Sequence, residues 1–248
     1  MKIKKRLDVL LTEQGYADSR AKAQAIIMSG LVYVNGQKAD KPGTSFEETV
    51  SIEVRSGSCP YVSRGGLKLE KALRDFGVKP EGYVCSDSGA STGGFTDCLL
   101  QHGASRVYAV DVGHAQLHER LRNDPRAVSR EGVNLRTAPP DLIPEPIDMI
   151  VADVSFISLT MVLPHCLQWL KDGGIAVGLI KPQFEVGAGQ TVKGVVKDDA
   201  IRQDAVDRVL RFMEAEGLTC LGVTPAAIKG PKGNQEYLAY WKKVSPKA

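Results

Sequence analysis

Residues 85–100 constrain the fold of this chain most strongly, because a short apolar segment leads there into a run of small residues. The apolar segment begins at Tyr83, and after the small residues Phe95, Leu99 and Leu100 recur at the spacing of one helix face. Strand, small-residue turn and helix form the start of a nucleotide-type βαβ unit. Glycines in the turn let the backbone bend sharply and approach a ligand closely. The first N–H groups of the helix would favour an anionic part of that ligand, such as a carboxylate.

The spacing of the glycines narrows the class of ligand. A dinucleotide fingerprint is G-x-G-x-x-G, whereas this chain has G-x-x-x-G-G preceded by Asp87, which disfavours a dehydrogenase. A phosphate loop needs a lysine after its glycines, and Phe95 stands there instead. About twenty residues on, residues 107–112 are typical of a second strand, and the acid within them, Asp111, suits the two ribose hydroxyls of a nucleoside.

This stretch resembles the first motif of S-adenosylmethionine-dependent methyltransferases, in which the loop surrounds the methionine part of the cofactor. The resemblance implies S-adenosylmethionine as cofactor. It implies these cofactor-binding residues: Asp87, Gly89, Ala90, Ser91, Gly93, Gly94, Phe95, Asp111, Val112, Asn134 and Asp153.

Strands and helices are predicted to alternate from residue 83 onward. The expected strands are 83–87, 106–111, 127–131, 148–153 and 175–181, and the expected helices are 94–102, 114–122 and 159–170. A loop over 182–197, a helix after Asp198 and a terminal β-hairpin are expected to follow. This order predicts an α/β fold, with a Rossmann-like parallel sheet and a site at the carboxyl ends of its strands. A terminal hairpin that inserts one antiparallel strand is typical of the methyltransferase sheet.

Composition and charge limit the class of protein, the kind of partner and the cellular compartment that we predict. Hydrophobic residues make up 43% of the chain and charged residues 25%, which is ordinary for a globular protein. Residues 1–64 hold 10 Lys and Arg against 7 Asp and Glu, whereas residues 65–248 hold 22 of each. The excess positive charge predicts a small basic module with a polyanionic partner. Five scattered cysteines, no signal peptide and no apolar span predict a reduced, cytoplasmic chain with no membrane partner.

The first sixty residues predict a small α+β module. A helix is expected over residues 5–15, a second helix after Ser19, and a hairpin at Asn35-Gly36. The order of these features over residues 4–60 resembles the RNA-binding domain named after ribosomal protein S-four. The resemblance implies structured RNA as partner, with phosphate contacts from Arg6, Arg20 and Lys22. Two basic residues of the larger domain, Arg64 and Lys193, are also predicted to contact RNA.

Four polar side chains are expected near the rim of the sheet: Lys68, Asp153, Lys181 and Glu236. Two lysines and two carboxylates in one pocket would partly neutralise each other, as a desolvated site requires. A lysine at the end of the otherwise apolar strand 175–180 is difficult to explain by packing alone. These four residues and their neighbours resemble the Lys-Asp-Lys-Glu tetrad of FtsJ-type ribose 2′-O-methyltransferases.

Three sequence motifs resemble those of the TlyA family, and the resemblance to this family spans nearly the whole chain. They are Ser-Gly-Ala-Ser-Thr-Gly-Gly-Phe-Thr-Asp at 88–97, Ala-Asp-Val-Ser-Phe-Ile-Ser-Leu at 152–159 and Lys-Pro-Gln-Phe-Glu at 181–185. The resemblance implies an S-four-type domain over 1–60, a linker at 56–64 and a methyltransferase domain over 61–248. It also implies methylation of cytidine ribose in ribosomal RNA, free or in a ribosomal subunit.

In the expected reaction, Lys181 takes or steers the proton of the ribose hydroxyl, while Lys68, Asp153 and Glu236 hold the reacting groups in line. A lysine can act as a base when burial and a neighbouring cation favour its neutral form. No metal is expected, because no His, Cys and Asp cluster has ligand spacing.

Other functions stay open on the sequence. Residues 153–156 stand where base N-methyltransferases carry Asn/Asp-Pro-Pro-Tyr/Phe, but the prolines are missing and the lysines are unexplained. A non-catalytic RNA-binding protein would leave the tetrad unexplained. A membrane-lytic protein is the most remote alternative, for want of a strongly amphipathic cationic segment.

Overall fold

A computed structural model of the chain describes residues 4–17, 19–28, 30–54, 59–187 and 189–244. The chain divides into two units, Met1–Ser58 and Cys59–Ala248. In the described residues, no helix has the length and apolar character needed to cross a bilayer.

The N-terminal unit packs two helices with short antiparallel strands. Its elements are β1 (Lys4–Arg6), α1 (Leu7–Glu13), α2 (Arg20–Met28), β2 (Val32–Val34), β3 (Gln37–Lys38), β4 (Ser45–Glu47) and β5 (Ile52–Val54). β1 pairs with β4, and β2 lies between β3 and β5. Asn35 and Gly36 both have positive φ, as the predicted two-residue hairpin requires. The predicted helix over 5–15 is too long, because Arg6 is extended and belongs to β1.

A buried carboxylate ties the two helices of this unit together. Asp8 is fully buried, and its oxygens accept hydrogen bonds from Arg6 (2.9 and 3.0 Å), Arg20 (3.1 Å) and Gln24 (2.8 Å). The hydrogen bonds from Arg6, with those from Gln24 and Arg20, hold the pKa of Asp8 well below its usual range. The buried charge is therefore matched by donors from α2 and from the end of β1.

We expect acid to destabilise this unit through Asp8. Because the folded-state pKa lies below the unfolded value of ~3.9, the stabilisation is complete above about pH 4 and is lost as the pH falls further. Asp8→Asn should lower the melting temperature at neutral pH and remove this part of the acid dependence. Thermal unfolding of both proteins from about pH 7 to about pH 3 measures it. Equal melting temperatures at neutral pH would contradict this account of Asp8.

The larger unit is built on a seven-stranded sheet flanked by helices. Its strands are β6 (Val84–Ser88), β7 (Arg106–Val110), β8 (Ala127–Arg130), β9 (Ile147–Ala152), β10 (Leu170–Ile180), β11 (Leu218–Pro225) and β12 (Tyr237–Lys243). Its helices are α3 (Gly65–Phe76), α4 (Gly94–Gln101), α5 (Glu119–Arg122), α6 (Leu163–Cys166), α7 (Pro182–Glu185) and α8 (Asp199–Ala215).

The strand order is β11-β12-β10-β9-β6-β7-β8, and β12 alone in this sheet runs against the others. This topology confirms the predicted Rossmann-like sheet with one inserted antiparallel strand. The central strands are apolar on both faces, so each face packs a hydrophobic cluster, around Trp241 on one side and Leu99 on the other. The carboxyl ends of β6, β9 and β10 therefore meet at one rim of the sheet.

Three predictions of local structure in the larger unit were wrong. The helix expected over 114–122 is only α5, because Glu131 accepts hydrogen bonds from the backbone N–H groups of residues 115–117 and holds them as a loop. The helix expected over 159–170 is a 3₁₀ turn, Leu159–Met161, followed by α6, and β10 already begins at Leu170. Pro164 lies in the first turn of α6 and has no N–H to continue an earlier helix. The loop expected over 182–197 begins with α7.

The segment predicted as a linker, residues 56–64, is only partly described. Ser56, Gly57 and Ser58 lie outside the described residues. Tyr61 is buried, and its hydroxyl donates to Glu70 of α3 at 2.9 Å. Val62 donates its backbone N–H to Asp97 of α4 at 2.8 Å. Residues 61 and 62 are thus packed onto the larger unit.

Candidate active site

The turn after β6 brings the backbone of two strands together. Gly89 has φ +89°, and a Cβ at this position would lie 2.8 Å from the carbonyl oxygen of Asp153. Only glycine combines this backbone conformation with such a close approach. The turn ends at Gly93, which precedes the first residue of α4 and also has a positive φ. The sequence of the turn therefore fixes the distance between the ends of β6 and β9.

Asp87 lies just before this turn and is fully buried. Its Oδ2 accepts hydrogen bonds from the backbone N–H of Thr96 (2.9 Å) and from the Thr96 hydroxyl (2.7 Å). Its Oδ1 is buried and has no hydrogen-bond partner among the described residues. Burial raises the pKa of Asp87 to about 7. A buried carboxylate oxygen that lines a cavity and lacks a donor fits a ligand that carries a cationic amino group.

A second cavity opens beside the end of β7. Asp111 accepts hydrogen bonds there from the backbone N–H groups of Ser91 (2.8 Å) and Gly113 (2.7 Å). The cavity measures about 620 Å³, and its lining includes Val112, Asn134 and Phe156. An acid among exposed apolar side chains suits the ribose and base of a nucleoside.

Four side chains of the predicted tetrad line or adjoin a cavity of about 720 Å³. The Nζ atom of Lys68, on α3, lies 2.6 Å from Oε2 of Glu236, which immediately precedes β12. The Nζ atom of Lys181, at the end of β10, lies 2.5 Å from Oδ1 of Asp153, at the end of β9. Lys68 and Lys181 are 8% and 7% exposed, and Glu236 is inaccessible to solvent. The site thus holds two buried or half-buried ion pairs with no net charge.

We call the turn residues 87–94 and the cavity beside Asp111 the cofactor cradle, and this cradle adjoins the cavity of the tetrad. Gly89, Ser91, Asp153 and Ser155 line both cavities, so a ligand that filled the two would pass beside Asp153. The predicted cofactor residues Gly94, Ala90 and Phe95 line the cavity that holds the tetrad. The cradle therefore fits a molecule with a charged amino-acid end and a nucleoside end. The individual contacts of these residues with a cofactor stay predictions.

Several side chains that hold the site were not predicted from the sequence. The hydroxyl of Ser155 accepts from Lys181 at 2.6 Å, and the side-chain amide of Gln183 donates to Glu236 at 3.0 Å. Glu185 accepts from the Ser158 hydroxyl and from the backbone N–H of Leu159. These five residues lie within two of the motifs that carried the family resemblance, 152–159 and 181–185: Ser155, Ser158, Leu159, Gln183 and Glu185. Their roles depend on contacts between distant parts of the chain, which the motifs alone do not predict.

The predicted RNA-binding residues lie on both units. In the N-terminal unit, Arg6 and Arg20 are about half exposed although both bind Asp8, and Lys22 is exposed on α2. In the larger unit, Arg64 is exposed and lines the tetrad cavity, and Lys193 is exposed in a turn with positive φ. Their contacts with RNA stay predictions.

Comparison with known proteins gives two matching family models and close relatives. The FtsJ-like methyltransferase model matches residues 61–243, and the S4 domain model matches residues 5–49. The 16S/23S rRNA (cytidine-2′-O)-methyltransferase TlyA of Mycobacterium tuberculosis is 42% identical over 98% of this chain and 91% of its own length. Hemolysin A of Brachyspira hyodysenteriae is 45% identical over 95% of this chain and 99% of its own length.

A solved structure supports the same assignment. It is a Streptococcus thermophilus protein named a hemolysin, with 42% identity, a TM-score of 0.78, and coverage of 99% of this chain and 90% of that one. The matches confirm the resemblance, the fold class and S-adenosylmethionine as the methyl donor. The chain belongs to the FtsJ-like methyltransferase family, among the TlyA-type members that combine this domain with an S4 domain.

Proposed function

We propose that this chain transfers a methyl group to a ribose 2′-hydroxyl, that of a cytidine, in ribosomal RNA or a ribosomal subunit. The observation that carries the proposal is the convergence of Lys68, Asp153, Lys181 and Glu236 beside the cofactor cradle. Relatives named as rRNA (cytidine-2′-O)-methyltransferases support the substrate. A ribosomal RNA substrate also favours a cytoplasmic site of action.

S-adenosylmethionine, when bound, supplies an activated methyl group on a sulfonium centre. Asp87 and the turn residues 89–94 hold its amino-acid end, and Asp111 holds its ribose. Their burial, backbone geometry and hydrogen bonds support these roles. Val112 and Asn134 line the part of the cradle that suits the base.

The tetrad acts on the ribose hydroxyl. Lys181 contacts the hydroxyl and takes or steers its proton, with Asp153 and Ser155 holding the lysine in place at 2.5 and 2.6 Å. Lys68 and Glu236 form the second buried ion pair beside the cavity and complete the charge balance. Because the methyl group is already activated, alignment of the hydroxyl provides much of the remaining acceleration.

A base N-methyltransferase is the nearest rival function. Phe156 is 91% exposed with φ +64°, and it lies three residues after Asp153 in the nucleoside-type cavity, where an aromatic ring could stack on a base. A base N-methyltransferase would give the buried Lys68–Glu236 ion pair no role, whereas a ribose methyltransferase uses it. The geometry therefore favours the ribose.

Product analysis tests this choice. The purified chain, labelled S-adenosylmethionine and ribosomal subunits should yield RNA whose label stays on the ribose after digestion to nucleosides and removal of the base. Label that leaves with the base would contradict ribose methylation and favour the rival.

We assign RNA affinity chiefly to the N-terminal unit, consistent with its charge excess and its S4 match. Arg6, Arg20 and Lys22 neutralise RNA phosphates there, and Arg64 and Lys193 do so on the larger unit. Replacing Lys22 or Lys193 by Gln should weaken RNA binding and reduce the slope of log affinity against log salt by about 0.7 to 0.9 for each phosphate that is no longer neutralised. An unchanged slope would contradict the assignment of that residue.

Cofactor affinity should fall as the pH is lowered through about 7, because the pKa of Asp87 is raised to about 7 by burial. Above this pH the carboxylate is charged and attracts the amino group of the cofactor, and below it the attraction is lost. We expect a loss of up to about tenfold per pH unit on the acid side, measured by calorimetry. Asp87→Asn is the control, since it keeps the titration of the cofactor's own amino group. A pH dependence that is identical in the two proteins would contradict this role of Asp87.

A further inference from the structure

The four-residue helix α7 directly follows Lys181, the residue proposed to handle the proton. Pro182 begins the helix and restricts its first φ angle. Phe184 donates its backbone N–H to the carbonyl of Lys181 at 2.8 Å, and Val186 donates to Pro182 at 3.1 Å. The position of Lys181 is therefore coupled to the orientation of this single helical turn.

The first polar side chain of α7 holds a member of the tetrad. The Nε2 group of Gln183 donates to Oε1 of Glu236 at 3.0 Å, while Lys68 binds Oε2 at 2.6 Å. Glu236 is inaccessible to solvent, so these donors replace water at both carboxylate oxygens. The Oε1 atom of Gln183 is buried without a hydrogen-bond partner among the described residues. Gln183 is thus fixed by its bond to Glu236.

The second polar side chain of α7 binds residues 158 and 159, in the segment that follows β9. Residues two apart on a helix point in nearly opposite directions. Accordingly, Glu185 turns away from Glu236 and accepts from the Ser158 hydroxyl at 2.6 Å and from the backbone N–H of Leu159 at 2.8 Å. Ser158 and Leu159 end the segment 153–159, which Lys181 contacts at Asp153 and Ser155. Two residues, Lys181 and Glu185, therefore hold this segment, one near its start and the other at its end.

We propose that Gln183 and Glu185 are positioning residues, which set Glu236 and the segment 153–159 at fixed distances from Lys181. They act through those residues and touch neither the ribose nor the cofactor. The inference rests on the proposed function, since it names residues that hold the same site. It explains how residues from β9, β10 and the approach to β12 keep one geometry although they are far apart in the sequence.

The test compares single-turnover rates on ribosomal subunits for Gln183→Ala, Glu185→Ala and the conservative Glu185→Gln. Misplacement of a reacting group by about 1 Å costs about 10²-fold in rate, so we expect losses of roughly 10- to 100-fold for the alanine variants. The dissociation constants for RNA, and for cofactor in Gln183→Ala, should stay within about twofold of wild type, because neither residue touches a ligand. In Glu185→Ala the cofactor affinity should fall less than the rate, because the segment 153–159 lines part of the nucleoside-type cavity. Glu185→Gln should recover part of the rate, since its amide oxygen still accepts the Leu159 N–H.

A pH profile separates positioning from general structural support. Gln183→Glu places a second carboxylate against Glu236, and two such groups cannot both ionise at close range without repulsion. At saturating cofactor, its rate relative to wild type should therefore recover as the pH falls and one carboxyl is protonated, whereas Gln183→Ala should show no such recovery. Exposed α8 residues give matched controls, Gln203→Ala and Glu214→Ala, which should keep the wild-type rate.

Wild-type rates in both alanine variants would overturn the proposal. Rates that fall only together with melting temperature and both affinities, with no recovery in Glu185→Gln, would also overturn it in favour of a structural role. A wild-type chain that methylates a base rather than a ribose would contradict the proposed function instead. In that case the same rate comparison still tests whether Gln183 and Glu185 position the site.

Discussion

Lys181→Ala is expected to abolish methyl transfer while leaving cofactor and RNA affinity nearly intact. The Nζ atom of Lys181 lies in the tetrad cavity, 2.5 Å from Asp153 and 2.6 Å from Ser155, and both of these residues also line the cofactor cradle. Loss of a group that accepts or steers a proton typically costs ~10²–10⁴ in rate. Single-turnover transfer to ribosomal subunits measures the loss, and calorimetry measures the two affinities.

Two variants sharpen this test. Lys181→Arg should not restore the rate, because a guanidinium stays protonated and has a different shape. Lys79→Ala, at an exposed lysine outside the cavity, should keep the wild-type rate. A Lys181→Ala protein with residual activity well above background would limit Lys181 to holding the hydroxyl. Full activity in that variant would contradict the proposed site.

Alanine substitutions of the other tetrad residues should lower the rate of methyl transfer, and their effects should not add if the four residues act as a unit. Lys68→Ala leaves Glu236 buried without its cation, which costs stability as well as rate. Asp153→Ala leaves Lys181 without its carboxylate but still hydrogen-bonded to Ser155, so its effect on folding should be smaller. If the chain were instead a base N-methyltransferase, Asp153 and Phe156 should be essential for activity, and Lys68 and Glu236 should be dispensable.

Gly89→Val should remove measurable cofactor binding. The new side chain meets the backbone carbonyl of Asp153, which cannot give way without moving the end of β9, and the positive φ adds strain. Together these effects should exceed about 3 kcal/mol, or more than about 100-fold in affinity. Calorimetry with S-adenosylmethionine, and competition by S-adenosylhomocysteine, measures the change.

Gly217→Ala provides the matched control for this prediction. Gly217 has φ +84°, yet a Cβ at this position would have no atom within 4 Å, so the substitution adds strain without a collision. It should leave cofactor affinity unchanged even if it lowers the melting temperature. A Gly89→Val protein that folds and binds cofactor as wild type does would contradict the location of the cradle.

The architecture was predictable from sequence where the signal is local. The stretch from β6 through Gly93 to α4 combines turn residues and helical spacing within a short segment, and the structure has these elements nearly as predicted. The prediction of a helix over 159–170 was wrong because two features interrupt the apolar spacing on which it was based. Pro164 starts a new turn, and the segment from Leu170 pairs with β9 instead.

The candidate site was predictable as a set of residue types at one rim of the sheet but not as a set of contacts. A lysine after an apolar strand and acids at other strand ends pointed to one rim. The pairing of Lys68 with Glu236 joins residues 168 positions apart, and no local pattern encodes it. The same limit applies to Gln183, whose role depends on the buried Glu236, and to Asp8, whose role depends on the donors that α2 brings to it.

Mapping of ribose methylation in ribosomal RNA tests the central claim most directly. RNA from cells with and without this chain is cleaved in alkali, which spares the linkage after a 2′-O-methylated nucleotide. We expect one or more protected cytidines that depend on the chain, and that return with the wild-type sequence but not with Lys181→Ala. Identical cleavage patterns in the two RNAs, or a chain-dependent methyl group found only on a base, would contradict the claim.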